Sequence, residues 1–256
     1  MSSKISVIIP TLNEEENIPN LLGSLGEQTL TDYEVIVVDG GSTDKTVRLA
    51  NDYHSKVIVE HGLPEFPSRN IGAKVAAGEI LLFTCADVIF PKELLSKINQ
   101  NFEDQMLVAL TGPDYPTSSL LAELEYGAYN VLRFMFSTFP KPAQRFSTST
   151  NFLAVRKSAF EKTGGFLPEI NGDGKLGRTL SEMGKVKFSN DTAVLISPRR
   201  FYKMGFRKFN MHYLYVLENF FPFLSKASFL KSFKDRSGSV HRKMHLADKE
   251  AAADPS

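Results

Sequence analysis

Two aspartates at the ends of strand-like segments are the side chains of this sequence best suited to chemistry. Asp39 follows the apolar run 33–38, and Asp87 follows the apolar run 80–83. A carboxylate at a strand end can accept hydrogen bonds from a ribose or base. Mg²⁺ or Mn²⁺ is usually held by one or two carboxylates together with substrate phosphates. The alternatives stay open, because Asp39 also suits a turn and Asp87 also suits a cap for the helix expected at Pro91.

Arg69 lies between these two acids in the chain, at the predicted start of a helix over residues 69–77. Together with Asp87 it would hold a nucleoside diphosphate and its divalent cation. Cys85 stands two residues before Asp87. We interpret Cys85 as a small buried side chain rather than a reactive thiol.

A third aspartate, Asp173, lies between Gly172 and Gly174, just ahead of a helix predicted from about Leu176 to Met183. On a mobile polar loop it would serve as a general base that deprotonates a hydroxyl nucleophile. The sequence equally allows a turn or helix-capping role.

Strands and helices alternate through the first half of the chain, which predicts an α/β fold with a mostly parallel sheet flanked by helices. Asn13 and Ser42 are the expected caps of the first two helices. In such sheets ligands bind beyond the carboxyl ends of the strands. The residues expected to converge there are Pro10, Thr11, Asn13, Asp39, Gly40, Thr84 and Asp87.

The composition gives no sign of nucleic-acid binding and fits a protein of a reducing compartment. The 256 residues carry 30 basic and 29 acidic side chains, so the net charge of +1 gives no indication of nucleic-acid binding. The single cysteine fits a reducing compartment. We expect a cytoplasmic protein, because the N-terminal residues lack the apolar core of a signal peptide and no apolar run is long enough to span a bilayer.

Several segments in fixed order make the chain recognisable. They are SVIIPTLNEEENI at 6–18, EVIVVDGGSTDKT at 34–46, RNIGA at 69–73 and AGEI at 77–80. In these segments the chain resembles family 2 glycosyltransferases of the GT-A fold. The resemblance implies a nucleotide-sugar donor, inversion at the anomeric carbon, and a bound Mn²⁺ or Mg²⁺ ion.

The resemblance also assigns residues to the donor site. Asp87 matches the last acid of the family's DxD motif and would bind the metal, whereas Cys85 replaces the first acid. The nucleotide-sugar site would comprise Pro10, Thr11, Asn13, Glu14, Asp39, Gly40, Arg69, Asn70, Ala86 and Asp87.

On the acceptor side the resemblance is less complete. Asn151 falls in an acceptor segment over residues 150–156, and Asp173 matches the catalytic base. Gly172 and Lys175 stand where the family usually has further acids. Arg199 and Arg200 would present positive charge to phosphate.

These assignments suggest three parts of the chain. Residues 1–200 would form the GT-A domain, with a nucleotide-sugar half at 1–112 and an acceptor half at 113–200. A basic, aromatic helical appendage would follow at 201–233, and then a polar tail at 234–256. The aromatic segments 120–139 and 206–233 fit either a membrane surface or internal and dimer contacts.

We therefore expect a metal-dependent inverting transfer from a UDP- or GDP-sugar to a glycan hydroxyl or polyprenyl phosphate, at the inner face of a membrane. The alternative is a catalytically weak nucleotide-sugar-binding module, because Cys85, Gly172 and Lys175 depart from the family pattern. A nucleotidyltransferase is disfavoured, since no glycine-rich basic loop follows the first strand.

Overall fold

The computed structural model of the protein describes residues 4–117, 120–138, 148–168 and 172–199. The chain divides into two compact units, Met1–Pro198 and Arg199–Ser256. Arg199 is the one residue of the second unit among the described residues, so every element below belongs to the first.

Ten strands and seven helices are formed by the described residues. The strands are β1 (Ile5–Thr11), β2 (Tyr33–Asp39), β3 (Lys56–Val59), β4 (Ile80–Thr84), β5 (Val88–Ile89), β6 (Leu107–Thr111), β7 (Asp114–Pro116), β8 (Phe152–Arg156), β9 (Lys185–Phe188) and β10 (Val194–Ile196). The helices are α1 (Ile18–Gly26), α2 (Thr46–Asp52), α3 (Glu65–Val75), α4 (Leu94–Asn101), α5 (Leu120–Thr138), α6 (Lys157–Thr163) and α7 (Gly172–Met183).

Seven strands form the main sheet in the order β3-β2-β1-β4-β8-β6-β9. All neighbours are parallel except β8, which runs antiparallel to both β4 and β6. The central strands are buried on both faces, as their unbroken apolar runs predict. The predicted mostly parallel sheet is therefore confirmed, with β8 as its antiparallel member.

One face of the sheet is covered by α3, α6 and α7 through a shared apolar core. Gly72 lets α3 approach β1, because a Cβ atom there would collide with the side chain of Ile8. Phe83 of β4 packs against Phe160 and Phe166, with ring centroids 5.0 and 4.9 Å away. Phe166 also stacks on Phe66 of α3, with ring centroids 5.4 Å apart, and so links α3 to β4.

A second, three-stranded sheet in the order β5-β10-β7 lies within the same unit. The backbone N–H of Ser197, just after β10, donates to the carbonyl oxygen of Asp87 at 2.9 Å. The main chain of Asp87 is thus tied to this small sheet immediately after it leaves the large one.

The first residue of α3 differs from the one that the sequence predicts. The helix starts at Glu65 and not at Arg69, with Pro64 at the capping position. Pro67 is tolerated because backbone N–H groups in the first turn of a helix have no intrahelical partner. The earlier start places Arg69 one turn beyond Glu65.

Both predicted helix caps were wrong. Asn13 lies in the left-handed region with φ 53°. Asn13 precedes α1 by five residues and Ser42 precedes α2 by four, so neither caps its helix. Asp44 instead accepts a 2.9 Å hydrogen bond from the backbone N–H of Thr46 at the start of α2. The short polar side chains of Asn13 and Ser42 join the two loops to each other, as described below.

No helix of the described residues is both long enough and apolar enough to cross a membrane.

Candidate active site

Asp39 organises the loops that follow the first two strands. Thr11 and Asp39 end β1 and β2 in register. The hydroxyl of Thr11 donates to Asp39 Oδ2 at 2.9 Å, while the backbone N–H groups of Gly41 and Ser42 donate to Oδ1 at 2.9 and 2.7 Å. The carboxylate is fully buried, which such a set of donors makes tolerable. Asp39 therefore serves as the turn residue that the sequence allowed; its contact with a nucleotide stays a prediction.

Asn13 and Glu14 bridge the same two loops. The backbone N–H of Asn13 donates to Ser42 Oγ, and Asn13 Oδ1 accepts from the N–H of Thr43. The N–H of Glu14 donates to Thr46 Oγ1 at 2.8 Å. These bonds hold the loops as one rigid edge above β1 and β2, where the nucleoside was predicted to bind.

Gly40 and Gly41 permit the tight path of this edge. Gly41 has φ +99°, and a Cβ atom there would collide with the imidazole of His61. A side chain at Gly40 would press against the carbonyl oxygen of Leu63. Substitution at either glycine would therefore displace the loop.

Arg69 lies fully buried behind the end of β4. Nη1 donates to the carbonyl oxygen of Thr84 at 2.7 Å, and Nη2 lies 2.7 Å from Glu65 Oε1 and 3.2 Å from Cys85 Sγ. Burial lowers the pKa of Arg69, but Cys85 and Glu65 more than offset it, so the pKa is raised. In this conformation the guanidinium is charged and engaged with protein atoms, and it positions the strand end beneath the predicted diphosphate site.

Cys85 lies at the centre of a polar chain that crosses the site. Its sulfur is 3.7 Å from Asn151 Oδ1, and Asn151 Nδ2 donates to Asp114 Oδ2 at 2.9 Å. Asp114 in turn forms a 3.3 Å ion pair with Arg133, and both side chains are buried. Asn151 thereby joins the end of β4 to α5.

Asp87 is half-buried and follows Cys85 and the buried Ala86 just beyond β4. Among the described residues no cluster of three or more His, Cys, Asp and Glu forms a metal cage. One carboxylate at a strand end still fits Mg²⁺ or Mn²⁺, because those ions are commonly completed by substrate phosphates and water. Asp87 would hold the ion, and the ion would neutralise the departing diphosphate.

Asp173 lies in the first turn of α7 and not on a loop as predicted. Its Oδ1 accepts a 2.8 Å hydrogen bond from the N–H of Gly174. Burial raises the pKa of its carboxyl, the Gly174 N–H lowers it, Glu65 raises it and Arg69 lowers it. The net pKa lies above its ordinary value. Thr148 Oγ1 donates to the carbonyl oxygen of Asp173 at 3.2 Å, and the nearby carbonyl oxygen of Thr150 lies 3.8 Å from Cys85 Sγ, so the start of α7 lies near the end of β4.

The glycine before Asp173 has a structural reason. A Cβ atom at Gly172 would lie 2.7 Å from the carbonyl oxygen of Leu167 and 3.1 Å from the Phe66 ring. An acidic side chain, which the family pattern would place there, does not fit this backbone.

Asn70 has a structural role in this conformation. Its side chain donates to the carbonyl oxygen of Phe166 at 2.8 Å and accepts from the N–H of the same residue at 2.9 Å. Its predicted contact with the donor remains a prediction, as does that of the half-buried Pro10. Arg199 belongs to the second unit and Arg200 lies outside the described residues, so their phosphate contacts are also still predictions.

Sequence reasoning missed Glu65, Asp114 and Arg133. Glu65 was overlooked because α3 was started one turn late. The signals for the other two were present: Asp114 follows the carboxyl end of β6, and Arg133 is a lone cation in an otherwise apolar stretch of α5.

Comparison with known proteins decides the family. The model of glycosyl transferase family 2 matches residues 6–164, more than half of the chain. The chain belongs to glycosyl transferase family 2. The resemblance drawn from the motifs is thereby confirmed.

Two bacterial transferases are among the proteins similar to this family 2 chain. Poly(ribitol-phosphate) beta-N-acetylglucosaminyltransferase TarS of Staphylococcus aureus is 37% identical over 43% of the chain and 21% of its own length. O-antigen chain rhamnosyltransferase RfbN of Salmonella typhimurium is 28% identical over 64% of the chain and 55% of its own length. The chain thus spans between about a fifth and about half of these relatives.

Solved structures confirm the GT-A fold. Residues 1–349 of TarS superpose with a TM-score of 0.63 at 25% identity, covering 78% of this chain and 62% of that one. The mannosyltransferase PcManGT of Pyrobaculum calidifontis, in complex with GDP-Man and Mn²⁺, gives a TM-score of 0.64 at 22% identity, covering 76% and 56%.

Proposed function

We propose that this chain transfers a sugar, with inversion, from a UDP- or GDP-sugar to the hydroxyl of a glycan or to a polyprenyl phosphate. The observation that carries the proposal is the proximity of two acids. Asp173 is hydrogen-bonded through its carbonyl oxygen to Thr148, and Thr150 of the same segment contacts Cys85, which lies two residues before Asp87. This arrangement supports Asp173 as the base and Asp87 as the metal-binding acid of one site.

Two residues would act in the reaction. Asp87 would hold Mn²⁺ or Mg²⁺ against the donor diphosphate; the neighbour PcManGT binds GDP-Man and Mn²⁺ together, which supports this role. Asp173 would take the proton of the acceptor hydroxyl as the oxygen attacks the anomeric carbon. A raised pKa suits this work, because general bases are most effective when their pKa approaches the working pH.

The ligands of two similar proteins support a nucleotide sugar as the donor. TarS has been crystallised with UDP-GlcNAc, and PcManGT with GDP-Man. The test is to incubate the protein with UDP-GlcNAc or GDP-Man and to measure release of the nucleoside diphosphate with and without Mn²⁺. Metal-dependent release of either one supports the proposal. Absence of release from both donors, in the presence of either metal and a range of glycan acceptors, contradicts it.

A weak nucleotide-sugar-binding module remains the second candidate, because Cys85 supplies a thiol where an acid would be expected next to the metal. Thiols are poor ligands for Mg²⁺. Donor binding by calorimetry without turnover on any acceptor would favour this candidate over the enzyme.

We further propose that the protein works in the cytoplasm at the membrane surface. The exposed face of α5 carries large apolar side chains, including Leu120, Leu124 and Val131 at 74, 65 and 59% exposure. Such a helix binds at the bilayer interface when its apolar face enters the headgroup region. A protein–protein interface is the competing use of the same face.

A further inference from the structure

Arg69 is a buried cation whose partners differ in charge. The Arg69 side chain is fully buried, whereas that of Glu65 is 40% exposed. Arg69 Nη2 lies 2.7 Å from Glu65 Oε1. The other two contacts are the carbonyl oxygen of Thr84 and the sulfur of Cys85. Among the described residues, Glu65 is the carboxylate in ion-pair contact with this guanidinium.

Position 85 lies where a second carboxylate would reach the same cation. Cys85 Sγ is 3.2 Å from Arg69 Nη2, so the oxygen of an aspartate built on that backbone would lie within ion-pair distance. A buried charge without a partner is strongly destabilising. A carboxylate at position 65 or at position 85 would contact Arg69 directly, and of these two positions only Glu65 carries one in this chain.

We propose that Glu65 is a positioning residue of the donor site: its carboxylate takes the charge-neutralising place that an acid at position 85 would fill. Through this contact Arg69 stays on the carbonyl oxygen of Thr84, and the segment from Cys85 to Asp87 stays fixed against α3. Glu65 therefore acts through Arg69 on the strand end that bears the metal-binding acid.

The Glu65–Arg69 pair differs in burial from ordinary ion pairs on helix surfaces. Arg178 and Glu182 of α7 have the same four-residue spacing, but their side chains are 61 and 63% exposed. Exposed pairs contribute little to stability. Only the burial of Arg69 makes its partner consequential, and Glu182→Gln supplies a matched control.

The test is a set of ligand-free proteins measured by thermal unfolding. We expect Glu65→Gln to lower Tm by about 4–8 °C. Adding Cys85→Asp to that variant restores most of the loss, whereas adding Cys85→Asn does not, because only the aspartate brings charge. Glu182→Gln changes Tm by less than about 2 °C. The proposal that an acid at position 85 can replace Glu65 is overturned if the Tm changes of the Glu65 and Cys85 substitutions are additive. It is also overturned if asparagine at position 85 restores Tm as well as aspartate does.

A second measurement separates positioning from stability alone, and only this part rests on the proposed function. Calorimetry with UDP, GDP and Mn²⁺, at a temperature where every variant is folded, should show at least a tenfold weaker Kd in Glu65→Gln. The Cys85→Asp addition should restore it. An unchanged Kd in Glu65→Gln overturns the positioning role. If the unmodified protein binds neither nucleotide, the proposed function fails. The thermal unfolding measurements still test whether an acid at position 85 can replace Glu65.

Discussion

Asn151 Nδ2 donates to Asp114 Oδ2 at 2.9 Å while Asn151 Oδ1 faces the sulfur of Cys85 at 3.7 Å. One amide thus joins the predicted metal segment to the buried ion pair of α5. Such networks constrain geometry when their members have partners, and loss of one member disturbs the others. Asn151 therefore links the segment predicted to bind the metal to the predicted acceptor half of the chain.

Removing the carboxylate proposed to bind the metal should largely remove the effect of Mn²⁺ on donor binding. We expect Asp87→Asn to reduce the gain in UDP or GDP affinity on adding Mn²⁺ to less than about threefold, because the amide carries no charge for the cation. Isothermal titration calorimetry with and without Mn²⁺ measures this gain. Asp52→Asn is the control, since that carboxylate is 60% exposed on α2. A full Mn²⁺ effect in Asp87→Asn would show that the metal is held elsewhere.

Removing the proposed base should slow chemistry without weakening donor binding. For Asp173→Asn we expect kcat to fall by about 10²–10⁴-fold, the usual contribution of general base catalysis, while the Kd for UDP changes less than about threefold. Steady-state kinetics and calorimetry on the same preparation give both values. A variant that keeps more than a tenth of kcat would exclude Asp173 as the base.

Asp173 should also give the protein a characteristic pH dependence. Burial raises the pKa of its carboxyl above the ordinary 3.8, so the folded state binds the proton more tightly than the unfolded state. The stabilising contribution of the protonated form is complete below pH 3.8 and is lost as pH rises through the raised pKa. Asp173→Asn should therefore have the higher Tm at neutral pH, and the difference should shrink below about pH 4. An asparagine variant that is less stable than the native protein at pH 7 would contradict this.

The buried ion pair of α5 should be necessary for the fold. Asp114 and Arg133 are 0 and 1% exposed, so Arg133→Met leaves a buried carboxylate without its cation. We expect a loss of about 3–5 kcal/mol in the free energy of unfolding, measured by denaturant titration. Arg178→Met removes the cation of an exposed pair and should cost less than about 1 kcal/mol. Equal losses in the two variants would refute this dependence on burial.

The apolar face of α5 should determine membrane binding. We expect the double variant Leu124→Glu, Val131→Glu to lose flotation with anionic liposomes, because both side chains lie on the exposed face. Met106→Glu is the control: it changes an equally exposed hydrophobic residue before β6. Unchanged flotation would exclude this face, and a shift from dimer to monomer in gel filtration would assign it to a protein interface.

The sheet and the family followed from the sequence because apolar strands and strand-end motifs are local signals. Asp39, Asp87 and the β1–β2 loops were located in this way. The partners of Arg69 were not, since Pro67 concealed the first turn of α3 and hence the Glu65 contact. Asp114 and Arg133 could each be noticed in the sequence, but their pairing could not be predicted, because they meet only through the tertiary packing of α5.

The most direct test of the central claim is the fate of the donor sugar. Proton NMR during incubation with UDP-GlcNAc or GDP-mannose and Mn²⁺ shows which anomer is released first. We predict metal-dependent release of the anomer opposite to that in the donor, absent in Asp87→Asn and slowed at least 100-fold in Asp173→Asn. Release of the retained anomer, or turnover unaffected by both substitutions, would contradict the account.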